Sequence, residues 1–260
     1  MSIGTRLGAF LLVLLGTFGT AYAIGEKLPG HDHSGHNHTH GPTDLVPPGF
    51  ENNGYRVVTD GIETNGTTRV ATFHLEMTDG MRVTNLPESH GARLHVVLVR
   101  PDLSGFQHIH PEIQPDGSWQ VTRDQPGAWH IVFDGAPDGN PVVVSANLDD
   151  ETAVEAQPLP EPDDDVTVAG VRLVRQGLDF YVTAEDGGPA TGLQPYLGMA
   201  AHLIAIREGD LSYVHLHPTM EMDGMFMFGS AMSQPGTYRI FLQFMRNGEV
   251  VTAPFTVVQP

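Results

Sequence analysis

His202-Leu203-Ile204-Ala205-Ile206-Arg207-Glu208-Gly209-Asp210-Leu211-Ser212-Tyr213-Val214-His215-Leu216-His217-Pro218 reads as two short strands around a polar turn. Branched and aromatic residues fill the arms, and Gly209-Asp210 supplies turn chemistry between them. Side chains alternate between faces along a strand, so His215 and His217 share a face. If Gly209-Asp210 forms a two-residue loop, His202 lies opposite His217 and Ile204 opposite His215. All three imidazoles then project from one face, near one end of a hairpin. A slip of one residue would send His202 to the other face, so the arrangement depends on register.

The same pattern occurs 107 residues earlier, as His95 followed by His108-Ile109-His110-Pro111. The match extends to Phe73 and Phe180, Asp79-Gly80 and Asp186-Gly187, Gly91 and Gly198, and Asp116-Gly117 and Asp223-Gly224. After a two-residue insertion in the second copy, Gln125-Pro126-Gly127-Ala128-Trp129 matches Gln234-Pro235-Gly236-Thr237-Tyr238. A long self-match that keeps such residues marks an internal duplication.

Each copy reads as all-β. Strands are expected at 69–77, 94–99, 119–122, 129–133 and 142–147. The second copy should have them at 171–174, 180–183, 202–206, 225–228, 238–244 and 253–258. Gly, Pro and Asp punctuate these runs, and no window holds a helical period. Short strands at this density predict two tandem immunoglobulin- or cupredoxin-like β-sandwiches, at 50–149 and 166–260. The acidic, proline-bearing segment 150–165 reads as a stiff, solvated linker.

Residues 1–23 have the layout of a secretory signal: Arg6, an apolar run from Leu7 to Phe18, and Ala21-Tyr22-Ala23 as a cleavage site. The chain is therefore expected to be secreted or otherwise extracytoplasmic, with membrane attachment only through this segment if it stays uncleaved. Residues 24–49 form an arm in which His31, His33, His36, His38 and His40 stand among polar residues. Such a tract cannot pack a core and suits loose capture of metal ions.

The chain has a formal net charge of −18, 14 His and no Cys. The acidity argues against a nucleic-acid partner. Without Cys there are no disulfides, zinc–thiolate sites, iron–sulfur clusters or blue-copper centres. Imidazole remains as the strong ligand. The triads His95/His108/His110 and His202/His215/His217 read as sites for copper or zinc, whose binding should fall as pH drops through about 6.5. Met225 and Met227 replace Ser118 and Gln120 of the first copy, and their thioethers would favour copper if they join a site. His74 reads as structural and His130 as a surface strand residue. Trp119, Trp129, Phe226 and Tyr238 read as core.

The stretch Tyr196-Leu197-Gly198-Met199-Ala200-Ala201-His202, then Asp210 to Pro218, then Pro235-Gly236-Thr237-Tyr238, resembles a family of secreted or membrane-anchored bacterial proteins. These are common in actinobacteria, largely uncharacterised and often labelled heavy-metal-binding, with a YLGxxxH…DLxYxHxHP motif. They look similar to YtkA/FixH-like domains and to periplasmic copper chaperones with His and Met ligands. This chain carries H-x-H where the chaperone pattern has H-x-M. The arm, the triads and the acidic charge together lead to the expectation of a non-catalytic protein that captures, buffers or delivers copper or zinc, with a membrane transporter or metalloenzyme as the receiver. One alternative is a cupin-like metal enzyme, with Gly209, His215, His217 and Glu221 nearly spelling its motif. The other is an interaction module with structural histidines.

Overall fold

The computed structural model describes residues 49–260, except 67, 89–90, 149–151, 223, 230–231 and 233. The N-terminal segment and the five-histidine arm lie outside the described residues. The described chain is all-β and belongs to one compact unit. Among these residues no helix is long and apolar enough to cross a membrane.

The first domain comprises β1 (Glu51–Asn52), β2 (Tyr55–Asn65), β3 (Thr68–Met77), β4 (Leu94–Val99), β5 (Phe106–Ile109), β6 (Ser118–Arg123), β7 (Trp129–Gly135) and β8 (Val142–Leu148). They form two four-stranded sheets, ordered β1-β2-β3-β6 and β5-β4-β7-β8. The second domain comprises β9 (Asp165–Val168), β10 (Val171–Gln176), β11 (Asp179–Ala184), β12 (Leu193–Gln194), β13 (His202–Arg207), β14 (Tyr213–Leu216), β15 (Met220–Met222), β16 (Met225–Met227), β17 (Gly236–Arg246) and β18 (Glu249–Gln259). One sheet is β15-β16-β11-β10-β9; the other joins β12, β17, β13 and β14, with β18 paired to β17.

Every expected strand is present, several of them longer than expected. Others, including β2, β5, β9 and β15, add pairing that apolar alternation does not announce. Where one face is wet, alternation is clean: in β6, Trp119 and Val121 are buried while Gln120 and Thr122 are exposed. Each sandwich has its own core. The first centres on Phe73, Trp119, Trp129 and Phe133, and the second on Phe180, Phe226, Phe244 and Phe255. Trp129 and Tyr238 are thus core residues, as their repeat positions suggested.

Gly117 and Gly224, equivalent positions of the repeat, each sit tightly against a backbone carbonyl, though of non-equivalent residues. Gly117 and Gly224 have positive φ of 81° and 83°, and an added Cβ would meet the carbonyl oxygens of Val83 and Val182 at 2.3 and 2.7 Å. Only glycine fits both constraints.

The β13–β14 hairpin keeps the expected register, with Ile204 opposite His215 and Leu203 opposite Leu216. Its turn is longer than two residues. The Arg207 N–H donates to the Ser212 carbonyl, so Glu208 to Leu211 form the loop. Because the loop grows by one residue on each arm, the pairing parity survives.

The sheets β5-β4-β7-β8 and β13/β17 are buried on both faces. Leu94, Val96 and Leu98 point into the first core, whereas Val97 and Val99 point outward. Likewise Leu203 and Ala205 serve the second core, and Ile204 and Ile206 point away from it. The outward sets meet. Val97, Val99, Val132, Val143, Ile204, Ile206, Tyr213 and Phe241 form a third apolar cluster between the sandwiches. Within it the rings of Phe106 and Phe241 stack at 3.8 Å with a 9° tilt. The linker is less solvated than its composition suggests: Leu159 packs on this cluster, and the Gln157 N–H donates to Asp102 Oδ2.

Candidate metal centre

His95 and His202 stand on β4 and β13, on the same outward face as the docking residues. His108 and His215 lie on the neighbouring strands β5 and β14. His110 and His217 follow two residues later, beside Pro111 and Pro218, which end each strand by removing a donor. Four of the six are buried; His110 and His217 are half-buried at the rim.

In the first triad, His95 Nδ1 lies 3.4 Å from His108 Nε2 and 2.8 Å from His110 Nε2, and the latter two nitrogens are 3.2 Å apart. In the second, His202 Nδ1 lies 3.0 Å from His215 Nε2 and 3.1 Å from His217 Nε2. The same ring nitrogens converge in both copies. Zn–N bonds of about 2.0–2.1 Å in tetrahedral geometry imply ligand-to-ligand edges of roughly 3.3 Å. The triads are close to that spacing, and each could hold a metal ion.

Outer hydrogen bonds aim these nitrogens. The Gln243 amide N–H donates to Thr252 Oγ1, so its Oε1 accepts from His108 Nδ1–H at 2.7 Å. His202 Nε2–H donates to the Tyr196 carbonyl at 3.0 Å. Each commitment leaves the opposite nitrogen, His108 Nε2 or His202 Nδ1, as a bare lone pair facing its triad. Without a metal, the two other ring nitrogens of a triad must share the one locked lone pair as hydrogen-bond acceptor. A central cation satisfies all three.

The triads also abut each other. The His95 and His215 rings are 4.8 Å apart, His108 and His215 5.4 Å, and His108 and His202 5.7 Å. Both sets therefore sit at the seam between the sandwiches. A groove of about 460 Å³, lined in part by Phe106, His108, Tyr196, Phe241 and Gln243, opens beside the seam.

Asp134 on β7 lies 3.4 Å from His215 Nδ1 through Oδ2, and the Tyr213 hydroxyl donates to the same oxygen at 3.3 Å. Burial raises its carboxyl to about 7, with the Tyr213 hydrogen bond opposing. Burial lowers His110 to about 4, and it holds His108 and His215 well below the usual imidazole range, helped by neighbouring imidazoles. The unfolded chain therefore takes up imidazole protons first. Stability from these groups is complete above about pH 6.5 and is lost as pH falls toward 4. Asp134 acts in the opposite sense, one group against three. Thermal unfolding of the metal-free protein should accordingly show Tm falling from pH 6.5 to 4.5. A flat or rising Tm would contradict the burial of neutral imidazoles.

Other sequence candidates lie elsewhere. Met225 and Met227 flank the core residue Phe226 on β16, so they face outward from the sheet opposite the histidines. A sandwich about 10 Å thick separates them from the triad, and they do not complete it. They pair with Met222 and Met220 across the β15–β16 hairpin, placing four thioethers on one face. Glu221 is on β15 in the same far sheet, apart from His215 and His217. His130 is buried, not on the surface, because its strand face is covered at the seam; its Nδ1 pairs with Asn147 Oδ1 at 2.9 Å. His74 is structural as expected, held among Asp60, Glu76 and Arg82.

Sequence reasoning did not single out Asp134 or Gln243, and it quoted Tyr196 only as the start of the motif, with no role. The signal for the first two was present. Both are polar residues inside apolar strands, and they occupy equivalent repeat positions once the two-residue insertion is counted.

Among solved structures the chain is similar to a crystal structure of S. aureus TarS 217-571, at 7% identity and a TM-score of 0.25, over 74% of this chain and 58% of that one. A crystal structure of S. aureus TarS gives 7% and 0.25, over 78% and 39%. The chain thus spans little more than half of the first and about two-fifths of the second. At that TM-score neither likeness bears on fold or function. No curated protein matches the chain. One family model matches, a domain of unknown function (DUF8832), over residues 50–151 and again over 166–259. These two matches coincide with the two sandwiches and each contains one histidine triad, so the chain belongs to the DUF8832 family and carries its domain twice.

Proposed function

We propose that this is an extracytoplasmic metal-binding protein, without catalytic activity, that captures and buffers zinc or copper in its divalent state. The observation that carries this reading is the convergence of three ring nitrogens at 2.8–3.4 Å in the first triad. The same nitrogens converge in the second, with one nitrogen of each triad locked as a lone pair. Imidazole-only donors suit Zn(II) and Cu(II), whereas the thioethers that would favour Cu(I) sit on the far side of the second sandwich. The half-buried His110 and His217 leave the rim of each site reachable for loading and transfer to a transporter or metalloenzyme. The acidic surface raises the local cation concentration. In the arm, His31, His33, His36, His38 and His40 add a looser first capture site.

The test is metal stoichiometry on the secreted full chain beside a variant with those five histidines changed to asparagine. After equilibrium dialysis against Zn(II) or Cu(II), elemental analysis should find about two ions per chain retained by the variant. A variant that retains none refutes the reading.

A further inference from the structure

We propose that the two triads form one linked centre, in which Gln243 and Asp134 are positioning residues that each act on a metal ligand of the opposite domain. The inference rests on the metal-binding reading above. His108 belongs to the first domain, yet its Nδ1–H is held by Gln243 of the second at 2.7 Å. His215 belongs to the second domain, yet its Nδ1 faces Asp134 of the first at 3.4 Å. Gln243 and Asp134 are equivalent positions of the duplicated sequence, so the exchange is reciprocal. Had each partner come from its own sandwich, each site would be complete in isolation. As built, the buried ligand rings on β5 and β14, His108 and His215, are aimed only while the sandwiches are docked.

Docking is supported by groups outside the triads. The outward faces of β4 and β13 bury Val97, Val99, Ile204 and Ile206 against each other's domain. Near His95, an added Cβ at Gly91 would lie 2.4 Å from the Leu197 carbonyl oxygen of the second domain. The seam thus brings backbone to backbone, and little play remains in the relative placement of the rings. Since metal ligation needs the aimed rings and the aimed rings need docking, the couplings are reciprocal: an ion in either triad tightens the seam, and a tight seam tightens both triads. Outer partners of ligating histidines are worth about 10–100-fold in metal affinity.

The experiment uses the full chain with the five arm histidines changed to asparagine. His202→Ala and His217→Ala are added so that only the first-domain triad remains. Zn(II) affinity is read by competition with a chromophoric chelator. Adding Gln243→Leu, a change in the other domain, should weaken this site about 10–100-fold, whereas Gln243→Glu, which can still accept the His108 proton, should restore most of the loss. An unchanged affinity in the Leu variant, or a loss that Glu does not rescue, overturns the proposal. The reciprocal set removes His95 and His110 and compares Asp134→Leu with Asp134→Asn at the second-domain triad. A further measurement leaves Gln243 and Asp134 unchanged. In the single-triad chain, Zn(II) should slow amide exchange in β13 as well as β4, and protection confined to the first domain would refute the linkage. If the single-triad chain binds no Zn(II), the metal-binding reading itself has failed, a result distinct from binding that ignores Gln243.

Discussion

His202→Ala is expected to remove one of the two bound metal ions and to weaken the second-domain site by more than about 100-fold. The bound follows from comparison: losing only an outer partner of a ligating histidine costs about 10–100-fold, and losing the ligand itself costs more. His202 is the hub of its triad, since its Nδ1 lies 3.0 and 3.1 Å from the other two ligand nitrogens. Its Nε2 is tied to the Tyr196 carbonyl, which fixes the ring so that Nδ1 points at the other two ligands. The fully buried position leaves a small polar void that water can fill, so the sandwich should remain folded. Elemental analysis and chelator competition, beside a far-UV circular dichroism spectrum, check the outcome. Two ions retained at undiminished affinity would mean that the triad is not the ligand set.

Ile204→Asp should separate the sandwiches without unfolding them. Ile204 is fully buried, opposite His215 on one side and Phe241 on the other. Its side chain belongs to the seam and not to the second core. The change removes about 2–5 kcal/mol of apolar burial and places an unpaired carboxylate there, which costs several kcal/mol more. That sum exceeds what a seam of this kind can absorb, whereas undocking lets the carboxylate reach water. Small-angle scattering should report a larger radius of gyration with β-rich circular dichroism retained, and both ions should bind more weakly. The neighbouring Leu203→Asp is the control: Leu203 lies in the second core, so that variant should lose folded signal instead. If Ile204→Asp leaves size and affinity unchanged, the seam does not hold the two sandwiches together.

Much of the fold was legible locally. The β6 alternation, the Asp-Gly turns and the repeated Pro-Gly before Trp129 or Tyr238 all follow from period and turn chemistry. The hairpin register matches the one expected from a two-residue loop although the loop is two residues longer, because lengthening by one residue on each arm keeps the parity. The Met225 and Met227 question was not legible. Apolar alternation says that they oppose Phe226 but not which sheet carries their strand. His130 was misplaced for a related reason. A polar residue in a strand reads as wet unless something is known to cover that face.

A cue for that cover exists in Leu94–Val99 and Leu203–Ile206, which run nearly unbroken in apolar residues. A strand with one wet face would alternate; one buried on both faces does not. The cue says that a second layer exists, and it does not name the layer.

The sequence by itself determined a duplicated β-sandwich chain and a repeated three-histidine spacing that puts the imidazoles on one hairpin face once the register is set. These depend on alternation, turns and repeat spacing, which act over a few residues. Only the tertiary structure decided that the two faces meet, that six histidines share one seam, and that Gln243 and Asp134 each serve the other domain's ligand. Docking of two surfaces depends on shape and buried area summed over residues far apart in the chain, and no local period encodes that sum.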